Sequence, residues 1–273
     1  MIAGPILLIG CGKMGGALLE GWLARGVAAE DVRIVEPAAE RARELRARHG
    51  IEVVAEVAAL DADFAPAVVL LAVKPQTMDA ALAPCRRFVS PDTVFLSIAA
   101  GKTIAFFARA LGAAAAIVRA MPNTPAAVGC GISVLAANEN ASAAQRAACQ
   151  ALLEAVGEAV WVDEGDALFD AVTAVSGSGP AYVFLLIECL ARAGVAAGLP
   201  EDLATRLARA TVHGAGVLAQ RSGEPAETLR RNVTSPGGTT QAALAVLMAD
   251  DGLAPLMTRA VAAAARRSRQ LAD

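Results

Sequence analysis

The stretch Ile6-Leu7-Leu8-Ile9-Gly10-Cys11-Gly12-Lys13-Met14-Gly15 constrains this chain more than any other. Four apolar residues read as a short buried strand, two glycines open a tight turn, and residues 14–22 have helical character. Strand, glycine turn and helix start in that order form a socket for a dinucleotide pyrophosphate. Gly10 lets the chain turn sharply, Gly12 lets backbone approach the phosphates, and Gly15 lets helix press close on strand. The free N–H groups of the turn and the positive end of the helix face the anion, with Cys11, Lys13 and Met14 completing the turn. The bland reading is a loop with chance glycines. The position directly behind an apolar strand is the context the motif requires.

The chain has 273 residues, enough for two domains and a substantial core. A net charge of −3 offers no broad basic surface, which argues against a nucleic-acid partner. The uninterrupted apolar runs at 67–73 and 181–187 are too short to span a bilayer, so no membrane partner is expected. The N-terminus lacks a basic flank and a cleavage-like site before the glycine turn, and it reads as part of the fold. Five cysteines, odd in number and never spaced C-x-x-C, fit reduced thiols in a cytoplasmic protein. With two histidines and no clustered ligands, no metal site is expected.

After the first helix, residues 32–35 form a second strand that ends at Glu36. That acid lies about twenty residues beyond the glycine turn, where a carboxylate accepts both ribose hydroxyls of NAD and repels the 2′-phosphate of NADP. Arg41 and Arg43 follow, and either one can swing toward a phosphate. The other reading makes these charges a solvated helix face. The cofactor is thus NAD(P)H, leaning to NADH, with NADPH not excluded.

Further strands are expected at 52–54, 67–73, 93–98, 115–118, 132–136 and 159–162, with a helix over 142–156. The run 67–73 ends in Ala72-Val73-Lys74-Pro75, and 93–98 leads into Ala99-Ala100-Gly101, small residues that let a ligand approach. The run 115–118 leads into Arg119-Ala120-Met121-Pro122-Asn123-Thr124-Pro125. Ligands bind beyond the carboxyl ends of such strands, so these loops converge on the cofactor. From about Asp163 onward the alternation stops. Helices are expected at 166–175, 181–197, 200–221, 225–232, 241–248 and 255–272. The boundary divides the chain into a sheet domain, 1–162, and a helical domain, 163–273. Helix 181–197 carries only Glu188 and Arg192 as charges. A small helical domain cannot bury that much apolar surface alone, so a second subunit is expected to cover it. The alternative is a monomer whose helices pack on its own sheet.

Scarcity of acid–base groups narrows the chemistry. The only lysines are Lys13, Lys74 and Lys102, and the only tyrosine is Tyr182. The Tyr-x-x-x-Lys pair of short-chain dehydrogenases is missing, because Leu186 stands where the lysine belongs. A lysine in the helical domain, which some hydroxyacid dehydrogenases use, is missing too. An imine is an easier hydride acceptor, since a protonated C=N carbon is already electrophilic. Reducing it needs a positioned nicotinamide, an anchor for the substrate and one hydroxyl. Residues 232–241 supply an anchor: Pro236 stiffens a turn, Gly237 and Gly238 uncover N–H groups, and a hydroxyl-rich helix start follows. Backbone and Ser/Thr donors there suit a small carboxylate, although a plain helix-capping loop has the same appearance.

These motifs together resemble pyrroline-5-carboxylate reductase. Gly10-Cys11-Gly12-Lys13-Met14-Gly15, Ala72-Val73-Lys74-Pro75 and residues 119–125 occur in that enzyme's order and spacing. So do Val175-Ser176-Gly177-Ser178-Gly179-Pro180-Ala181-Tyr182 and Ser235-Pro236-Gly237-Gly238-Thr239-Thr240, the last being the most specific. The resemblance covers essentially the whole chain. It implies reduction of 1-pyrroline-5-carboxylate to L-proline with NAD(P)H, the last step of proline biosynthesis. It also implies an α/β fold: an N-terminal Rossmann-type dinucleotide-binding domain followed by an all-helical dimerisation domain. The homodimer carries its active site at the interface, and such dimers often assemble further, commonly into decamers.

Carried over by position, the resemblance implies that residues 10–15 hold pyrophosphate and that Ala72, Val73, Lys74 and Pro75 line the adenosine-to-nicotinamide path. Ala99 belongs to the same cofactor wall, and Met121, Pro122 and Asn123 border the nicotinamide. Ser176, Gly177, Ser178, Gly179 and Pro180 shape the pocket at the hinge. Ser235, Gly238, Thr239 and Thr240 hold the substrate within the 235–240 turn, and Thr240 is the hydroxyl at the imine nitrogen. Glu36 departs from members favouring NADPH, which tend to carry Ser, Thr or Arg there. Two other readings stay open. One is another nicotinamide-dependent imine or keto-acid reductase of this architecture; the other is an NAD(P)-binding sensor without turnover.

Overall fold

The fold is described from a computed structural model covering residues 4–163 and 165–272, and expectations for residues 1–3, 164 and 273 fall outside them. Eight strands form one sheet: β1 (Ile6–Ile9), β2 (Val32–Val35), β3 (Glu52–Val54), β4 (Val68–Leu71), β5 (Val94–Ser97), β6 (Ala116–Met121), β7 (Gly131–Ala137) and β8 (Gly157–Trp161). The spatial order is β3-β2-β1-β4-β5-β6-β7-β8. The first six strands run parallel in the 3-2-1-4-5-6 order of a dinucleotide-binding sheet. β7 pairs antiparallel with β6, and β8 runs parallel to β7. Residues 122–130, the link from β6 to β7, are too few for a parallel crossover, which takes about a dozen.

The helices joining these strands are α1 (Lys13–Ala24), α2 (Ala39–His49), α3 (Met78–Leu82), α4 (Ile104–Leu111) and α5 (Ala143–Glu154). Strand residues alternate between two apolar layers. Ile6, Leu8, Ile34, Leu70 and Leu96 face Leu18, Trp22 and Leu152 of α1 and α5. Leu7, Ile9, Val69, Leu71 and Phe95 face Met78, Leu82 and Phe107 of α3 and α4. Covering both faces explains why β1, β4 and β5 read as unbroken apolar runs. Local chemistry places the helix starts. The Ser142 hydroxyl accepts the Gln145 N–H at 3.2 Å, and the Gln145 side chain accepts the Ser142 N–H at 2.9 Å, opening α5 with a capping box.

Beyond β8 the chain is helical. A 3₁₀ turn (Gly165–Leu168) leads to α6 (Phe169–Val172) and then to a π-helical turn (Thr173–Gly177). The single helix expected over 166–175 is therefore three short pieces, because side-chain contacts hold Asp166 and Ser176 in other geometries. There follow α7 (Gly179–Ala196), α8 (Glu201–Ser222), α9 (Ala226–Asn232), α10 (Thr239–Leu247) and α11 (Leu253–Ala272). Two units result. One comprises the residues up to Gly177 together with those from Ala265 on, and the other is Ser178–Ala264. In the second unit, α7 leaves Phe184, Leu185, Leu186 and Leu190 exposed. By length and composition alone, the helical run Gly165–Ala196 meets the criterion for crossing a bilayer. The apolar run 181–187 is short, but the residues on either side keep the whole helix apolar.

Candidate active site

In the first unit, the carboxyl ends of the parallel strands bring the expected cofactor residues to one edge. Gly10 follows β1 with φ +84°, a conformation that favours glycine, and its N–H donates to the Val35 carbonyl at 2.8 Å. A Cβ there would also lie 2.8 Å from Cγ1 of Val73, so β4's loop closes over the turn. Gly15 lies against the same backbone: a Cβ would stand 2.7 Å from the Gly10 carbonyl oxygen and 3.3 Å from Cβ of Ala72. Gly12 differs. It caps α1 in extended conformation, and no atom lies within 4 Å of a Cβ built there. That open space, in front of α1's unpaired N–H groups, fits a dinucleotide pyrophosphate and would be filled by any larger residue.

The turn opens onto a cleft of about 440 Å³ lined by Cys11, Gly12, Lys13, Gly16, Glu36 and Arg41, among others. Glu36, at the end of β2, accepts the Cys11 N–H at 3.0 Å with one oxygen and the Ala38 N–H at 3.0 Å with the other. Each carboxylate oxygen has a second lone pair, so the acid still has acceptors for two ribose hydroxyls. Arg41 is built into the same corner, and sequence reading gave it no fixed place. Its Nε donates to the Cys11 carbonyl at 3.2 Å, and its terminal nitrogen reaches Glu44 at 2.7 Å. Its other terminal nitrogen lies 3.1 Å from where a Gly16 Cβ would stand. Cys11 is buried, and burial pushes its thiol above the ordinary range, with Arg41 pulling the other way.

Lys74 is exposed and caps a 3₁₀ turn that begins at Pro75; its carbonyl accepts the Thr77 N–H at 3.0 Å. Ala99 is buried beyond β5, its N–H donating to Ser97 Oγ at 3.2 Å. Met121 ends β6, and Pro122 follows. The Asn123 side-chain oxygen accepts the Ile132 N–H at 2.9 Å, so it ties the loop to β7. Ser176 Oγ donates to the Val172 carbonyl at 3.0 Å within the π turn, where a Cβ at Gly177 would meet Cε of Met121.

The remaining expected residues lie in the second unit. Ser178 caps α7, and Gly179 and Pro180 form its first turn. The segment 235–240 is a turn opening α10: the Gly238 N–H donates to the Ser235 carbonyl at 3.0 Å, and Gly237 takes φ +72°. Gly238 caps the helix without a side chain, and Thr239 and Thr240 are its first two residues. Their N–H groups are orphans of the first turn, next to two hydroxyls, which together make a donor set for a small anion. Gln241, the last residue of the 232–241 anchor and given no role by sequence reading, accepts the Gly237 N–H at 2.5 Å and so fixes the turn. Thr240 is half-buried, and Ser235 and Thr239 are exposed.

A parallel sheet with this glycine cradle and a ribose-side acid defines a nicotinamide-dinucleotide oxidoreductase. A family model described as NADP oxidoreductase, coenzyme F420-dependent, matches residues 5–101. Another, described as pyrroline-5-carboxylate reductase dimerisation, matches residues 166–271. The pyrroline-5-carboxylate reductase of Pseudomonas aeruginosa is 45% identical over 98% of this chain and 97% of its own. That of Synechocystis is 42% identical over 97% of each. The solved structure of a pyrroline-5-carboxylate reductase from Coxiella burnetii superposes with a TM-score of 0.91 at 32% identity, covering 99% of both chains. The Plasmodium falciparum enzyme, solved with NADP bound, gives 0.84 at 28% identity over the whole of both chains. The chain belongs to the pyrroline-5-carboxylate reductase family.

Proposed function

We propose that this chain reduces 1-pyrroline-5-carboxylate to L-proline, using NADH in preference to NADPH. The observation that carries the reading is the 235–240 turn, which presents N–H groups and hydroxyls at the start of α10 in a chain without lysine after Lys102. Bound NAD(P)H supplies the hydride for the imine carbon. The chain's own residues bind, orient and manage the proton. Gly10, Gly12 and Gly15 with α1 hold the pyrophosphate, and Glu36 takes the adenosine ribose. Ala72 to Pro75, Ala99 and 121–123 line the rest of the cofactor. Ser235, Gly238 and Thr239 hold the substrate carboxylate. The Thr240 hydroxyl sits at the ring nitrogen and holds or relays the proton that accompanies reduction.

The preference for NADH rests on Glu36, whose charge opposes a 2′-phosphate; Arg41 beside it is the group that would accept one. The apolar faces of α7 are covered by a second copy of the chain, in a homodimer or larger assembly working in the cytoplasm. This reading is supported by the dimerisation description matched over residues 166–271. The test is an oxidation assay with pyrroline-5-carboxylate and each cofactor in turn. Proline formation with faster NADH than NADPH turnover is expected. No consumption of either cofactor with this substrate sinks the proposal.

A further inference from the structure

The carboxyl end of β6 carries a charge into the interior of the first unit. Arg119 is 4% exposed; its guanidinium forms an ion pair with Asp166 and lies 4.1 Å from the centre of the Phe169 ring. The other oxygen of Asp166 accepts the Ile104 N–H at 2.7 Å, the first orphan donor of α4. Three segments therefore meet: β6, the helix that follows Ala99's loop, and the strap 165–177. At the strap's far end, a Cβ at Gly177 would lie 2.5 Å from Cε of Met121. Arg119 Nε and Thr173 Oγ1 are buried there without a hydrogen-bond partner among the described residues.

Arg119 is buried and Asp166 half-buried, and an ion pair desolvated in this way gives little stability over apolar side chains of the same volume. What it supplies is geometry: a planar guanidinium held by a carboxylate and a ring admits one seat for the strap. We propose that Arg119 and Asp166 are a positioning pair for hydride transfer. They seat the strap against the ends of β5 and β6 and so fix Met121, a wall of the nicotinamide site. Their contacts in the structure are with Ile104, Phe169 and each other, so their part is positioning. The reaction's identity rests on the function proposed above; the brace itself does not.

The test is Asp166→Asn in the full-length protein. A misplacement of about 1 Å costs on the order of 100-fold in rate. The expected result is at least about a tenfold fall in kcat, with NADH Kd from fluorescence titration within about twofold of wild type. The primary isotope effect with nicotinamide-deuterated NADH should rise, which lowered folding stability would not cause. In hydrogen exchange of the cofactor-free protein, residues 165–177 should exchange faster while β1 and β2 stay protected. Wild-type kcat overturns the proposal, and so does a kcat loss matched by an equal loss of NADH affinity. Unchanged exchange over 165–177 overturns it whatever the substrate proves to be. Phe169→Leu removes the ring but not the charges, and decides the matter should Asp166→Asn not fold. A kcat loss at unaltered NADH affinity supports the pair, and an unchanged kcat overturns it. Failure of the wild-type protein to reduce pyrroline-5-carboxylate would refute the function instead.

Discussion

Gly12 and Gly15 share one turn, yet a methyl group added at each should have opposite consequences. At Gly15 it would stand 2.7 Å from the Gly10 carbonyl oxygen, a backbone atom that cannot rotate away. Overpacking costs about 1–3 kcal/mol, and alanine in place of glycine inside a helix returns about 1 kcal/mol. Gly15→Ala is therefore expected to lose up to about 2 kcal/mol, a drop of several degrees in Tm. At Gly12 the added methyl meets nothing within 4 Å and φ is −72°, so the free protein accommodates it. The unfolded chain has fewer states to lose, worth about 0.4–1 kcal/mol, but alanine is a poorer helix N-cap than glycine by a similar amount, so little net change in stability is expected. The cofactor-bound state suffers instead, since that methyl stands where phosphate oxygens meet α1's N–H groups. Losing one charge-assisted hydrogen bond removes about 1.5–3 kcal/mol, which is roughly a 10- to 150-fold rise in Kd. Thermal melts of the cofactor-free variants and NADH fluorescence titrations measure both halves. Wild-type NADH affinity in Gly12→Ala would refute the placement of the pyrophosphate, and a Tm lowered as far as that of Gly15→Ala would refute the open space.

Replacing Glu36 by Ser should raise the NADPH-to-NADH ratio of kcat/KM; identical ratios before and after would remove Glu36 as a selector. Thr240→Val, which keeps shape and loses the hydroxyl, should lower turnover by at least about tenfold, as loss of a positioned proton-handling group does, while NADH affinity holds. Unchanged turnover would take Thr240 out of the mechanism. Light scattering should report a dimer or larger, and an active monomer at the chain mass of 27.7 kDa would refute coverage of α7 by a second copy.

Much of the first unit was legible because its signals are local. The strands β1, β4 and β5 are apolar runs ending in small residues or proline, and Ser142 with Gln145 announces α5 within four residues. The direction of β7 was not legible: alternation marks a strand but says nothing of its polarity, which the short link after β6 decides. The change of helix type over 165–177 was not legible either, and Asp166 there reaches Arg119, 47 residues away, with nothing near Asp166 to announce it. Glu36 could be placed by spacing. Its bond to the Cys11 N–H could not, since that depends on the folded shape of the turn. Gln241 was hidden for a similar reason: its acceptor role follows from the left-handed Gly237 one turn back. The apolar surface of α7 was plain in the sequence, and the fold leaves Phe184, Leu185, Leu186 and Leu190 of it exposed.

Glu36 and Arg41 grip the two sides of one residue, the acid on the Cys11 N–H and the base on its carbonyl. The adenosine corner and the phosphate turn are thus one mechanical piece. Affinities of adenosine-side and phosphate-side fragments should not sum to that of the whole dinucleotide. Exchanging the acid alone should therefore shift cofactor choice at the cost of a slacker phosphate turn, weakening both reduced cofactors together.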